Sequence, residues 1–90
     1  KNTIIIDEPS IYEYKVTLGN SVDPSLADWI ISNEDKAKAG ATCLKEIANN
    51  GYVKGFYIYI RDEKIMQLLN LFIGNIQRID KLVYIAKTDK

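Results

Sequence analysis

The sequence predicts an α+β domain, a two-layer βαββαβ sandwich whose four-stranded antiparallel sheet carries both helices on one face. Three observations lead there. Ile11 to Leu18 and Tyr52 to Arg61 alternate apolar and polar residues at the period of half-buried strands. Ile65, Leu68, Leu69, Phe72 and Ile73 repeat at the i, i+3, i+4, i+7, i+8 spacing of an amphipathic helix. Ninety residues, 47% of them hydrophobic, suffice for one core and not for two.

In chain order, residues 1–10 hold Ile4, Ile5 and Ile6 and then Asp7-Glu8-Pro9, which reads either as an extra edge strand or as an ordered lead-in to the domain of residues 11–90. The first strand follows, with Tyr12, Tyr14, Val16 and Leu18 alternating against Glu13, Lys15 and Thr17. Asp23 is a good N-cap, and Pro24 suits the first helical position. The predicted helix runs from Pro24 to about Ala39, with Leu26, Trp29 and Ile30 toward the core and Gly40 at its end.

Ala41 to Ile47 reads as the second strand, the alternative being a helix that continues toward Ala48. The strand is preferred because Asn49-Asn50-Gly51 supplies the positive φ angles of a tight hairpin turn into the third strand. In that third strand Phe56, Ile58 and Ile60 share one face and Tyr57, Tyr59 and Arg61 the other. Asp62 caps the second helix, Gly74 ends it, and Leu82 to Ala86 forms the last strand. With both helices on one sheet face, Tyr57, Tyr59 and Tyr84 point outward from the other.

Composition narrows function by exclusion. Twelve basic and twelve acidic residues cancel, so no overall field draws the chain to nucleic acid or anionic lipid. The apolar runs fall far short of the ~20 residues of a membrane helix. One cysteine and no histidine make a structural metal site improbable, and Cys43 reads as a small buried hydrophobe. The carboxylate neighbours Asp7-Glu8, Glu34-Asp35 and Asp62-Glu63 read as caps or solvated surface, and no Gly-rich phosphate loop occurs. No enzyme and no cofactor are therefore expected. Two strings imitate an RNA-recognition motif, Lys54 to Tyr59 and Leu71 to Ile76, but in the order opposite to that motif's.

The string Lys54-Gly55-Phe56-Tyr57-Ile58-Tyr59-Ile60-Arg61-Asp62, followed by a helix and Val83-Tyr84-Ile85, resembles the propeptides of subtilisin-like serine proteases and free-standing inhibitors of that family. Tyr14 to Leu18 looks like the family's first strand, and Ala39-Gly40 like the Gly-Gly before its second. The resemblance spans residues 11–89. It implies an inhibitor and intramolecular chaperone that acts on its protease in cis or in trans, in the secretory pathway or outside the cell. It also implies docking through the open sheet face with Tyr57, Tyr59 and Tyr84, and a tail of Thr88, Asp89 and Lys90 leading toward the substrate cleft. The family's acidic pair after the last strand falls near Ala86 and Lys87 and is missing, with Asp89 a partial replacement. The competing expectation is a ferredoxin-like module that binds a protein, small molecule or RNA through the same face.

Overall fold

A computed structural model describes residues 2–85, an α+β arrangement of one five-stranded mixed sheet and three helices. In chain order these are β1 (Asn2–Ile6), β2 (Tyr14–Leu18), α1 (Leu26–Ser32), β3 (Ala37–Ala39), α2 (Ala41–Asn50), β4 (Tyr57–Ile60), α3 (Glu63–Leu69) and β5 (Ile76–Tyr84). The sheet order is β1-β5-β2-β4-β3. β1 runs parallel to β5, and every other pairing is antiparallel. The expected four strands and two helices are thus exceeded by an edge strand, β1, and by α2.

Cross-strand partners share a face, so the register sorts the side chains directly. Ala39, Ile58, Val16 and Ile79 form one row across β3, β4, β2 and β5, and Ala37, Ile60 and Tyr14 form the next. These residues join Leu26, Ala27 and Ile30 of α1, Cys43 and Ile47 of α2, and Ile65, Met66 and Leu69 of α3 in a single core. All three helices therefore cover the same sheet face.

The middle of the chain departs most from expectation. α1 ends at Ser32 rather than near Ala39. Asn33 leaves helical geometry at φ −134° and ψ 51°, and its side-chain amide donates back to the Trp29 carbonyl. Ser, Asn and Asp compete locally for backbone hydrogen bonds, which shortens helices. The second strand is Ala37–Ala39, inside the predicted helix, with both alanines buried and Lys38 exposed. Ala41 to Ile47 is not a strand but the start of α2, which begins at Gly40 instead of stopping there.

Asn49-Asn50-Gly51 makes no hairpin. Gly51 ends α2 at φ 73° and donates its N–H to the Glu46 and Ile47 carbonyls, since the left-handed conformation that suits a hairpin also suits a helix C-cap. β5 starts six residues before the predicted Leu82 and pairs with both β1 and β2. Asp62 does cap α3, accepting from the Ile65 N–H.

Two stability predictions follow from these ends. A Cβ on Gly51 would stand 2.3 Å from the Val22 carbonyl oxygen and in a left-handed conformation. Gly51→Ala should lower unfolding stability by about 2 kcal/mol or more in urea titrations. The Ile65 N–H also holds the Asp62 carboxyl below its ordinary pKa. A depressed pKa stabilises the fold above the unfolded value, about 4, and that contribution disappears as pH falls through the folded value. The stability gap between the native chain and Asp62→Ala should therefore be full at pH 6 and shrink toward pH 3, as read by thermal melts.

Candidate functional site

The sheet face away from the helices carries the chemistry. Its central row runs Lys38 (β3), Tyr59 (β4), Lys15 (β2), Asp80 (β5) and Asn2 (β1), and the row beside it runs Tyr57, Thr17 and Arg78. Two of the three expected docking residues, Tyr57 and Tyr59, stand side by side here. Their rings meet edge to face with centroids 5.6 Å apart, and the Lys15 ammonium sits 4.3 Å above the centre of the Tyr57 ring. Such cation–π contact orients the lysine over the ring while leaving its charge near the surface.

Tyr84 points outward by the same parity and is 45% exposed. It lies four residues up β5 from Asp80, so strand spacings place it about 16 Å from Tyr59. It does not belong to the Tyr57–Tyr59 cluster. Thr88, Asp89 and Lys90 lie outside the described residues.

Tyr12 joins the cluster instead, although its alternation with Tyr14 placed it on the core side. The chain leaves regular pairing before β2, and the Tyr12 ring turns over the outer face to within 6.4 Å of Tyr59 while its hydroxyl donates to the Glu34 carbonyl. Burial, with Glu34 and Asp35 adding charge repulsion, raises the Tyr12 pKa; burial likewise raises that of Tyr59. Between this strap and β3, Ser10, Tyr12, Lys38, Gly40, Tyr57 and Tyr59 border a groove of about 370 Å3. On the other side of Tyr59 a second groove is bordered by Asp7, Glu8, Pro9, Ser10, Lys15 and Leu82. The outer face is thus partly crossed by residues 7–12 rather than fully open.

Sequence reasoning missed Lys15, Lys38, Arg78 and Asp80. The signal was present for Lys15, which alternates with Tyr14 and Val16 and so had to share the face of Tyr59. Asp80 is nearly fully buried on this face, and the Arg78 guanidinium Nε donates to both of its carboxylate oxygens at 3.0 and 3.1 Å. That geometry neutralises the acid beneath the surface and leaves Arg78 more than half exposed.

The RNA-recognition resemblance fails on parity as well as order. Its stacking aromatics would correspond to Phe56 and Ile58, but Ile58 is wholly buried and Phe56 packs against the core. No His, Cys, Asp and Glu cluster able to hold a metal ion lies among the described residues, and no helix among them is long and apolar enough to cross a membrane. The acidic pairs do not converge: Asp62 caps α3, while Asp35 approaches Arg61 at 4.0 Å. No protein-family model matches the chain, and no curated protein or solved structure matches it significantly.

Cys43 lies buried in α2, and desolvation pushes its thiol pKa up to about 11. A thiol protonated at neutral pH is a poor nucleophile. Ellman's reagent at pH 8 should leave the folded chain unlabelled and react with one thiol per chain once guanidinium unfolds it.

Proposed function

We propose that the chain is a propeptide-like protein inhibitor of a subtilisin-like serine protease, docking through the sheet face that bears Tyr57 and Tyr59. The observation that carries this reading is the sidedness of the sheet. Three helices fill one face, while the other presents a tyrosine pair, three cations and shallow grooves rather than a deep pocket. Flat faces rich in tyrosine and arginine suit protein contacts.

The fold is consistent with a ferredoxin-like plan. β2, α1, β3, β4, α3 and β5 follow a βαββαβ path, and their strands lie in the order β5-β2-β4-β3 with antiparallel neighbours. β1 and α2 are then additions to that plan. The Lys54 to Asp62 string leads into and along β4 up to the cap of α3, an arrangement that supports the reading.

In this reading the tyrosine pair is the centre of the interface, and Thr88, Asp89 and Lys90 are the tail offered to the protease cleft. Chaperone action in cis and inhibition in trans use the same face, because both stabilise the folded protease by binding it. The secretory setting follows from the kind of protease.

The test is inhibition of a panel of purified subtilisin-like proteases by the chain. Slow, tight inhibition should appear for at least one protease, and Tyr57→Ala/Tyr59→Ala should weaken it about 30-fold or more. Digestion of the chain by every protease, or undiminished inhibition by the double variant, would overturn the docking assignment.

A further inference from the structure

The outer face is electrically lopsided. Lys38 and Lys15 flank Tyr59 in one row, about 10 Å apart across three strands, and Arg78 closes a triangle with them in the row of Tyr57. Neither lysine has a carboxylate within ion-pair distance among the described residues. Asp80, the cross-strand partner of Lys15 just outside the triangle, is buried and bound by Arg78, so it does not attract a partner's cation, although it offsets part of the Arg78 charge. The exposed acids sit toward the end of the face that residues 7–12 cross: Asp7 and Glu8 border a groove with Lys15 and Tyr59, Glu13 stands two residues before Lys15, and Glu34 and Asp35 lie by the Tyr12 hydroxyl. A chain with zero net charge has therefore gathered cations around its tyrosine pair and kept its nearby acids to one rim.

We infer that this face binds an acidic segment of its partner protein, with carboxylates opposite Lys38, Lys15 and Arg78 and an apolar side chain seated in the groove between Tyr12, Tyr57 and Lys38. The inference rests on the docking reading above and adds the chemistry of the partner. Complementary charge sets orientation and association rate, and the Asp7-Glu8 rim repels an acidic segment that lies the wrong way round.

Cations beside tyrosines also suit single-stranded RNA, but the rings are not available as platforms. The Lys15 ammonium occupies one face of Tyr57, Tyr57 and Tyr59 meet edge to face, and Tyr12 leans on Tyr59. Base stacking needs a free ring face.

The experiment uses the 15N-labelled chain and three probes: a peptide with one leucine between glutamates, its glutamine-for-glutamate counterpart, and an oligouridylate of equal charge. The acidic peptide should shift the amide signals of Lys15, Lys38, Tyr57 and Tyr59. Its Kd should rise about 10-fold between 50 and 300 mM salt. Lys38→Glu should abolish these shifts, and Lys45→Glu, at an exposed position of α2, should not. Equal shifts from the glutamine peptide, no shifts at all, or stronger shifts from oligouridylate would each overturn the inference, the last in favour of RNA. Lys38→Glu and Lys15→Gln are then assayed against any protease inhibited by the chain. Inhibition lost in the tyrosine double variant yet unchanged in both lysine variants and in high salt leaves the docking face standing and removes the acidic partner. Acidic-peptide binding without inhibition of any protease does the reverse.

Discussion

Val16 and Ile58 stand opposite each other in the interior strands β2 and β4, and both are wholly buried. Ala39 continues their row toward one edge and Ile79 toward the other. Because strand side chains alternate, this row decides what every neighbouring residue does. A slip of one position in β4 would carry Tyr57 and Tyr59 into the core and Ile58 and Ile60 into water. At about 2 to 3 kcal/mol for each large apolar side chain buried, the wrong register is excluded by the core alone. The outer face inherits its composition from that choice, including the contact between Lys15 and Tyr57, which are diagonal neighbours across β2 and β4.

The same logic explains what was legible. In β2 and β4 the apolar period and the burial coincide, so each could be read from spacing, and Asp62 announced its own helix; α3 follows its predicted stripe only in part, since it ends at Leu69 rather than at Gly74, Met66 is buried while Leu68 is exposed, and Phe72 and Ile73 lie beyond it. Between Asn33 and Gly51 the signals were shared by two structures. Lys36 to Ala39 has good helix formers, yet Ala37 and Ala39 alternate with Lys38 at the period of a strand; a three-residue element is too short for periodicity to outvote propensity. Gly40 reads equally as a stop or a start, because glycine both ends helices and serves as an N-cap, and Asn50-Gly51 equally as a hairpin or a C-cap, because a positive φ at Gly51 suits both. Tertiary packing made the choice. Cys43 and Ile47 lie on one helical side and reach the core that α1 also fills.

The site was legible in its tyrosine pair and illegible in its surroundings. Strand parity places Tyr57 and Tyr59 together on the outer face without any knowledge of neighbours. It cannot tell that Tyr84 falls well away from them, since that depends on how far β5 extends, nor that residues 7–12 fold across the face and bring Tyr12 with them. Lys38 is hidden for a different reason: the sequence predicts helix for its segment, so its partner Tyr59 is not in view. Only the pairing of β3 with β4 brings that cation beside the tyrosines.

α2 also shapes how the face can recognise anything. An edge strand offers unpaired N–H and C=O groups, and a partner can add a strand there when the edge is long enough. β3 is the edge on the tyrosine side, and after three residues the chain turns at Gly40 into α2. That leaves too little extended backbone to template a sixth strand, from a partner, with useful register. The opposite edge, β1, is five residues long and uncharged, but β5 and β2 separate it from the β4 tyrosine pair. Recognition around Tyr57 and Tyr59 must then run through side chains. Side-chain recognition is where the placement of Lys15, Lys38 and Arg78 counts most, because charge and ring geometry, rather than a ladder of backbone hydrogen bonds, have to provide the specificity.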